Sequence, residues 1–177
     1  MQIRNAETDD LDDVLSVESA AFDTDEEANL VSDLLTDASA QPVVSLLAFE
    51  NDRAVGHILF TRARLEPASP LAVALLAPLA VVPEFQRRGI GGRLIEQGVQ
   101  ALSAAGKDLV FVLGYPDYYS RHGFSPAGVQ GFDAPYPVPP VHADAWMVRA
   151  LRPGVEVGRR VTVVCADALN RPEYWRE

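Results

Sequence analysis

Apolar residues recur along this chain in two spacings, and each spacing predicts a type of element. Gln2–Asn5 reads as a short first strand. Leu11, Val14, Leu15, Ala21 and Phe22 then follow a helical interval, with Thr8 as the expected N-cap and Asp9 and Asp10 in the first turn, where the helix dipole favours anions. Thr24-Asp25-Glu26-Glu27 has capping-box spacing, and Val31, Leu34 and Leu35 carry a second helix to about Asp37. Pro42 to Glu50 and Arg53 to Arg64 are strands joined at Asn51-Asp52, a hairpin. Residues 65–70 hold two prolines and form a loop. Leu71 to Val82 is nearly all apolar, as in a strand covered on both faces. Leu94, Ile95, Gly98, Val99 and Leu102 lie on one face of a helix that Gly106 ends. Leu109 to Leu113 is a second buried strand, so residues 71–113 form a βαβ unit with parallel strands and a right-handed crossover. Pro116 opens a short helix ending near Gly123. Residues 131–143 hold four prolines and read as loop, Trp146 to Leu151 as a late strand, and Arg160 to Ala166 as an added one.

Composition narrows the picture. The chain has 177 residues, 48% of them apolar, which suits one globular domain with a sizeable core. Its longest apolar run is 12 residues and contains Pro78, too short to cross a bilayer. Met1 leads straight into a strand pattern with no basic or apolar leader, and the single Cys165 permits no internal disulfide, so a cytoplasmic protein is expected. The net charge of −10 makes nucleic acid and anionic membrane unfavourable partners. Residues 9–37 hold eleven Asp and Glu and no Lys or Arg, read first as solvated helix faces and second as a field for a cationic substrate.

Against that acidity, Gln86-Arg87-Arg88-Gly89-Ile90-Gly91-Gly92-Arg93 stands where a strand hands over to a helix. Such a turn leaves the first amides of the helix unpaired at the positive end of its dipole, and glycines allow close approach and positive φ. Phosphate is the usual guest, and arginines add charge-assisted bonds. A Walker A loop is excluded, because the only lysine, Lys107, follows a helix and precedes Asp108. A dinucleotide fingerprint lacks its third small residue, the position being Leu94.

Gln86-Arg87-Arg88-Gly89-Ile90-Gly91 does match Q/R-x-x-G-x-G/A, the pyrophosphate-binding signature of the GNAT superfamily of N-acetyltransferases. Leu79-Ala80-Val81-Val82-Pro83-Glu84 resembles that family's preceding strand and turn, and Tyr119-Ser120-Arg121-His122-Gly123-Phe124 its Y-x-x-x-G-F. The order β-α-α-β-β-β-α-β-α-β is also the family's. The run LGYPDYYSRHGFSPA is similar to a bacterial branch with poorly defined substrates. The resemblance covers about residues 2–151. It implies an α/β fold with a mixed, mostly antiparallel sheet whose central parallel strands splay between flanking helices. Residues 1–151 would be the acetyltransferase domain, and residues 152–177 an extension packed on or near it.

The resemblance also implies a mechanism. Acetyl-CoA would be the co-substrate, without metal. Its pantetheine arm would pair with Leu79, Ala80 and Val81, and its pyrophosphate would meet Arg87, Arg88, Gly89, Ile90, Gly91 and Gly92. A primary amine, cationic given the acidic segment, would attack the thioester directly through a tetrahedral intermediate. Pro78 supports the splay on physical grounds, since it cannot donate a ladder bond. A fourth-strand N–H near Leu79–Val81 is the natural oxyanion donor, and Tyr119 the proton donor to the departing thiolate. The base is not defined. Leu71–Val82 has no carboxylate, Val112 stands where the family often has asparagine, and Glu26, Glu27, Glu66 and His142 each remain open.

Other residues read as structural. His57 is expected to be a hydrogen-bonded core or rim histidine, His122 a helix-end group, Tyr115 and Tyr118 packing or rim residues, and Cys165 a buried strand cysteine. Three scattered histidines make no metal set. Two readings compete with the enzyme: an acyl-CoA sensor without turnover, motivated by the missing strand carboxylate, and a protein-interaction domain using Pro137-Val138-Pro139-Pro140 and the acidic face. The acceptor is a small molecule or a protein amine, and a homodimer is left open.

Overall fold

The computed structural model describes residues 1–176. Its strands are β1 (Gln2–Asn5), β2 (Val44–Glu50), β3 (Arg53–Glu66), β4 (Val73–Val81), β5 (Leu109–Leu113), β6 (Ser125–Pro126), β7 (Phe132–Asp133), β8 (Trp146–Ala150) and β9 (Val161–Val164). Its helices are α1 (Leu11–Phe22), α2 (Glu26–Thr36), α3 (Ile90–Ala104) and the short α4 (Pro116–Ser120). The main sheet runs β1-β2-β3-β4-β5-β8-β6. Within that path only β4 and β5 are parallel, because α3 carries the chain back between them while the other neighbours join as hairpins or returns.

Alternation along the strands sends two sets of side chains to two layers. Leu47, Leu59, Leu75 and Phe111 pack with Val14 of α1 and Val31 and Leu34 of α2. Leu46, Ile58, Phe60 and Val110 pack with Leu94, Ile95, Val99 and Leu102 of α3. The near-continuous apolar run of β4 is explained by cover on both sides.

Three local expectations are corrected. Thr8 is not an N-cap: Thr8–Asp10 is a 3₁₀ turn capped by Glu7, whose N–H donates to Asp10 Oδ2 at 2.7 Å. Asp10 also holds both terminal nitrogens of Arg4, at 2.7 and 2.9 Å, which pulls its carboxyl down to about 2. β3 runs two residues beyond Arg64, because β9 pairs with Arg64–Glu66. The proline-rich stretch is not all loop, since it contains β7 and a 3₁₀ segment over Pro140–Ala145.

The last segment shares the core. Val161, Val163, Cys165, Leu169 and Trp175 are buried in the α1–α2 layer, and Trp175 meets Trp146 edge-on at 5.7 Å. Asp167 and Ala168 donate their amides to Ser39 Oγ and Asp37 Oδ2 at 2.8 and 3.0 Å, tying the tail to the turn after α2. Among the described residues no helix is long and apolar enough to cross a membrane.

Candidate active site

β4 is paired on both edges only in its first third. Val73, Ala74 and Leu75 lie opposite Leu109, Val110 and Phe111, after which β5 gives Val112 and Leu113 to β8 alone. On the other edge, Ile58 of β3 faces Leu79 and Phe60 faces Leu76, so Ala77 and Pro78 together oppose Leu59. That is a bulge, placed where proline has no ladder bond to lose. Beyond it, the segment containing Leu79, Ala80 and Val81 has β3 on one side and no strand on the other. Leu79 and Val81 are half-buried and Ala80 is buried.

This one-sided strand runs into the glycine turn. Gln86 Nε2 donates to the Val81 carbonyl at 2.9 Å and folds the chain back. Arg87 and Gly89 both take left-handed backbone, with φ of 63° and 82°. Alternating hands of this kind turn successive N–H groups toward one point. Nothing lies within 4 Å of a Cβ built on Gly89, so its requirement is conformational rather than spatial. The first amide of this region with an acceptor is Arg93, bonded to Gly89 O at 3.1 Å. The six N–H groups from Arg87 through Gly92 have no acceptor among the described residues. Arg87, Arg88 and Arg93 are exposed and form no ion pair among the described residues, although Arg88 lies over the Phe85 ring at 4.8 Å. Unpaired amides, a dipole end and free guanidinium groups together make an anion receptor.

α4 closes on this turn from the side. A methyl on Gly91 would collide with the Tyr118 hydroxyl, and one on Gly92 would come within 2.7 Å of the His122 ring. These two glycines therefore admit a neighbouring helix, a role the sequence pattern alone did not disclose. His122 stands at the end of α4, as expected, its N–H donating to the Tyr119 carbonyl at 2.9 Å. Desolvation and then Arg121 lower its pKa, and its ring packs on Tyr118 at 4.9 Å. Tyr119 lies beside Gly114 at the end of β5, edge-on to Tyr118 and Phe124 at 5.1 and 5.6 Å. Its ring is buried, and burial raises its pKa far above the usual phenol value, so it keeps its proton at neutral pH. The Tyr119 hydroxyl has no hydrogen bond to a described residue, yet it is not one of the fully enclosed unpaired oxygens, Glu18 Oε1 and Thr61 Oγ1. It is therefore open to a partner. Tyr115, 82% exposed, is a rim residue.

The four residues left open as bases are not gathered at this site. Glu66 pairs with Arg64 at the far end of β3, beyond the start of β4. His142 is exposed in the segment before β8, Glu26 is exposed at the start of α2, and Glu27 accepts from Thr24 Oγ1 at 3.2 Å. A different carboxylate was missed. Glu18 Oε2 meets His57 Nδ1 at 2.6 Å, and His57 Nε2 meets Ser45 Oγ at 2.8 Å; Glu18 and His57 are wholly buried. Desolvation raises the Glu18 pKa, opposed by its bond to His57. The available signal was its place between Leu15 and Ala21 in an otherwise apolar stripe. His57 is the hydrogen-bonded core residue expected. Across the sheet its register partner is Ala80.

Comparison with known proteins agrees with this geometry. The model described as "Acetyltransferase (GNAT) domain" matches residues 2–127. The chain is 52% identical over 145 residues, 80% of each protein, to the uncharacterized N-acetyltransferase YjhQ of Escherichia coli K12. It resembles the crystal structure of the E. coli GNAT family N-acetyltransferase YhbS in complex with CoA, with a TM-score of 0.86, 26% identity and coverage of 96% and 92% of the two chains. A Brucella melitensis GNAT family acetyltransferase in complex with acetyl-CoA matches with a TM-score of 0.75, 27% identity and coverage of 95% and 97%. A one-sided strand feeding an open amide turn, in a chain so related, marks this protein as a member of the GNAT family of acetyltransferases.

Proposed function

We propose that this enzyme transfers an acetyl group from acetyl-CoA to a cationic primary amine, using the turn at residues 87–92 as its pyrophosphate seat. The carrying observation is the set of six unpaired amides, Arg87 to Gly92, at the end of a strand with one free edge. A diphosphate suits that donor set, and an extended amide chain suits the free edge of Leu79–Val81. The CoA and acetyl-CoA held by the two structural relatives support the assignment.

When bound, acetyl-CoA supplies an acyl thioester for attack by nitrogen. The chain's own part is positioning and charge control. Backbone N–H groups on the free edge of β4 stabilise the carbonyl oxygen as it gains charge. Tyr119 holds a proton at its hydroxyl and directs it at the departing sulfur. A phenol, whose ordinary pKa of about 10 burial raises further, holds its proton more tightly than a thiol of pKa about 8.5, so the departing thiolate does not strip it. Tyr119 therefore acts as a hydrogen-bond donor, and the proton that ends on sulfur comes from the attacking nitrogen. No side-chain base is assigned: an amine arriving neutral, or deprotonated through water, needs none.

The acidic α1–α2 segment supports a cationic acceptor. α1 lies over the cofactor end of β4, where Val17 packs with Ala80 and Val82. Asp12 and Asp13 in its first turn, with Asp23 and Glu26 where it meets α2, are unpaired by any Arg or Lys among the described residues. Acetylation rates across an amine panel at low and high salt test this. Cationic amines should lead and lose their advantage in salt; a preference for neutral or anionic amines would overturn the acceptor assignment. Calorimetric titration with acetyl-CoA tests the seat itself.

A further inference from the structure

Tyr118, which the sequence marks as a packing or rim residue, carries its oxygen to an unusual place. It stands against the Gly91 backbone where a side chain would otherwise project, and the Leu79 side chain is 3.6 Å from the same point. Three elements meet there: the first turn of α3, the free-edged half of β4, and α4. The six unpaired amides begin at the same turn. The Tyr118 hydroxyl has no hydrogen-bond partner among the described residues, and its ring is held by Tyr119 at 5.1 Å, His122 at 4.9 Å and the Arg121 guanidinium at 5.5 Å. A phenol packed on three sides, with its one polar atom unpartnered at the rim of an anion receptor, is arranged to meet a ligand oxygen.

We propose that Tyr118 is a cofactor-binding residue, donating its O–H to a phosphoryl oxygen held over residues 87–92. Burial raises its pKa, so the oxygen carries the proton to be donated. Nothing on the ligand but an acceptor is required, and the bond adds a side-chain donor to a seat otherwise built from backbone. The same contact explains why position 91 has no side chain: any Cβ would displace the hydroxyl. The proposal rests on the pyrophosphate seat described above.

The test separates the two. Wild type and Tyr118→Phe are titrated with CoA and with pantetheine, which lacks the phosphates, and circular dichroism checks each fold. Loss of one charge-assisted bond should weaken CoA about tenfold or more and leave pantetheine unchanged. Equal CoA affinity in the two proteins would overturn the role of Tyr118, and so would an equal loss for both ligands, the mark of a packing residue. A wild type that binds no CoA would instead overturn the seat itself. Gly91→Ala should weaken CoA in the wild-type background and far less beside Tyr118→Phe, where the colliding oxygen is gone. Equal losses in both backgrounds would refute the contact.

Discussion

Two regions of this protein hold unpaired polar atoms with opposite meanings. At residues 87–92 six amides have no acceptor, and the three arginines beside them no carboxylate partner, among the described residues. At Glu18, a single carboxylate oxygen is unpaired in a wholly buried position, with its sister oxygen on His57. The first region is open to a ligand and costs little when empty, because water satisfies it. The second is sealed in the core and ties α1 to β3 by a contact whose loss leaves a buried polar group unpaired. Openness, not polarity, separates a binding site from a structural one.

The largest expected effect is on the sealed side of that comparison. Glu18→Ala leaves a cavity and an unpaired His57 imidazole in the core and should cost about 3–5 kcal/mol of unfolding free energy, read from the denaturant midpoint. Glu18→Gln keeps a hydrogen-bonding group and should cost much less. The wild-type carboxyl binds its proton more tightly folded than unfolded. Stability should therefore fall as pH rises above the ordinary carboxylate range, and Glu18→Gln should lack this slope. A loss from Glu18→Ala no greater than that of an exposed carboxylate would show that the pair is not structural.

On the open side, Tyr119→Phe should lower kcat about a hundredfold with little change in CoA affinity. Comparable turnover would remove Tyr119 from the chemistry. Gly89→Ala comes next. Nothing blocks the added methyl, so only the left-handed backbone is penalised, by about 1–2 kcal/mol. Calorimetry should show about a tenfold weaker CoA complex. The smallest effect belongs to neither region. Asp10, held down to about 2 by Arg4 and by the Glu7 amide, adds stability above its unfolded pKa of about 3.8, lost as pH falls toward 2. Asp10→Asn should flatten the acid limb of the stability curve over that window.

Much of the open region was legible in the chain. Gly89 and its neighbours, the apolar run before them and the amphipathic helix after them are close in sequence, and their physics is local: positive φ, a dipole end and a missing ladder donor at Pro78. The sealed region was not legible. His57 could be read as a core histidine from its strand face, but Glu18 lies 39 residues away. No spacing rule links a helix position to a strand position across a layer. The tail was half legible, since the alternation at Arg160–Ala166 announced a strand without saying that its neighbour would be the end of β3.

The chain by itself determined the order of its elements, the glycine turn at residues 87–92, and the acidity of α1 and α2. These follow from periodicity, backbone chirality and charge, which act over a few residues. Tertiary structure alone decided that β5 leaves β4 after Leu75, that Tyr118 fills the space Gly91 leaves, and that Glu18 finds His57. Each is a contact between segments far apart in sequence, chosen by which surfaces can be buried together and not by any preference of the residues themselves.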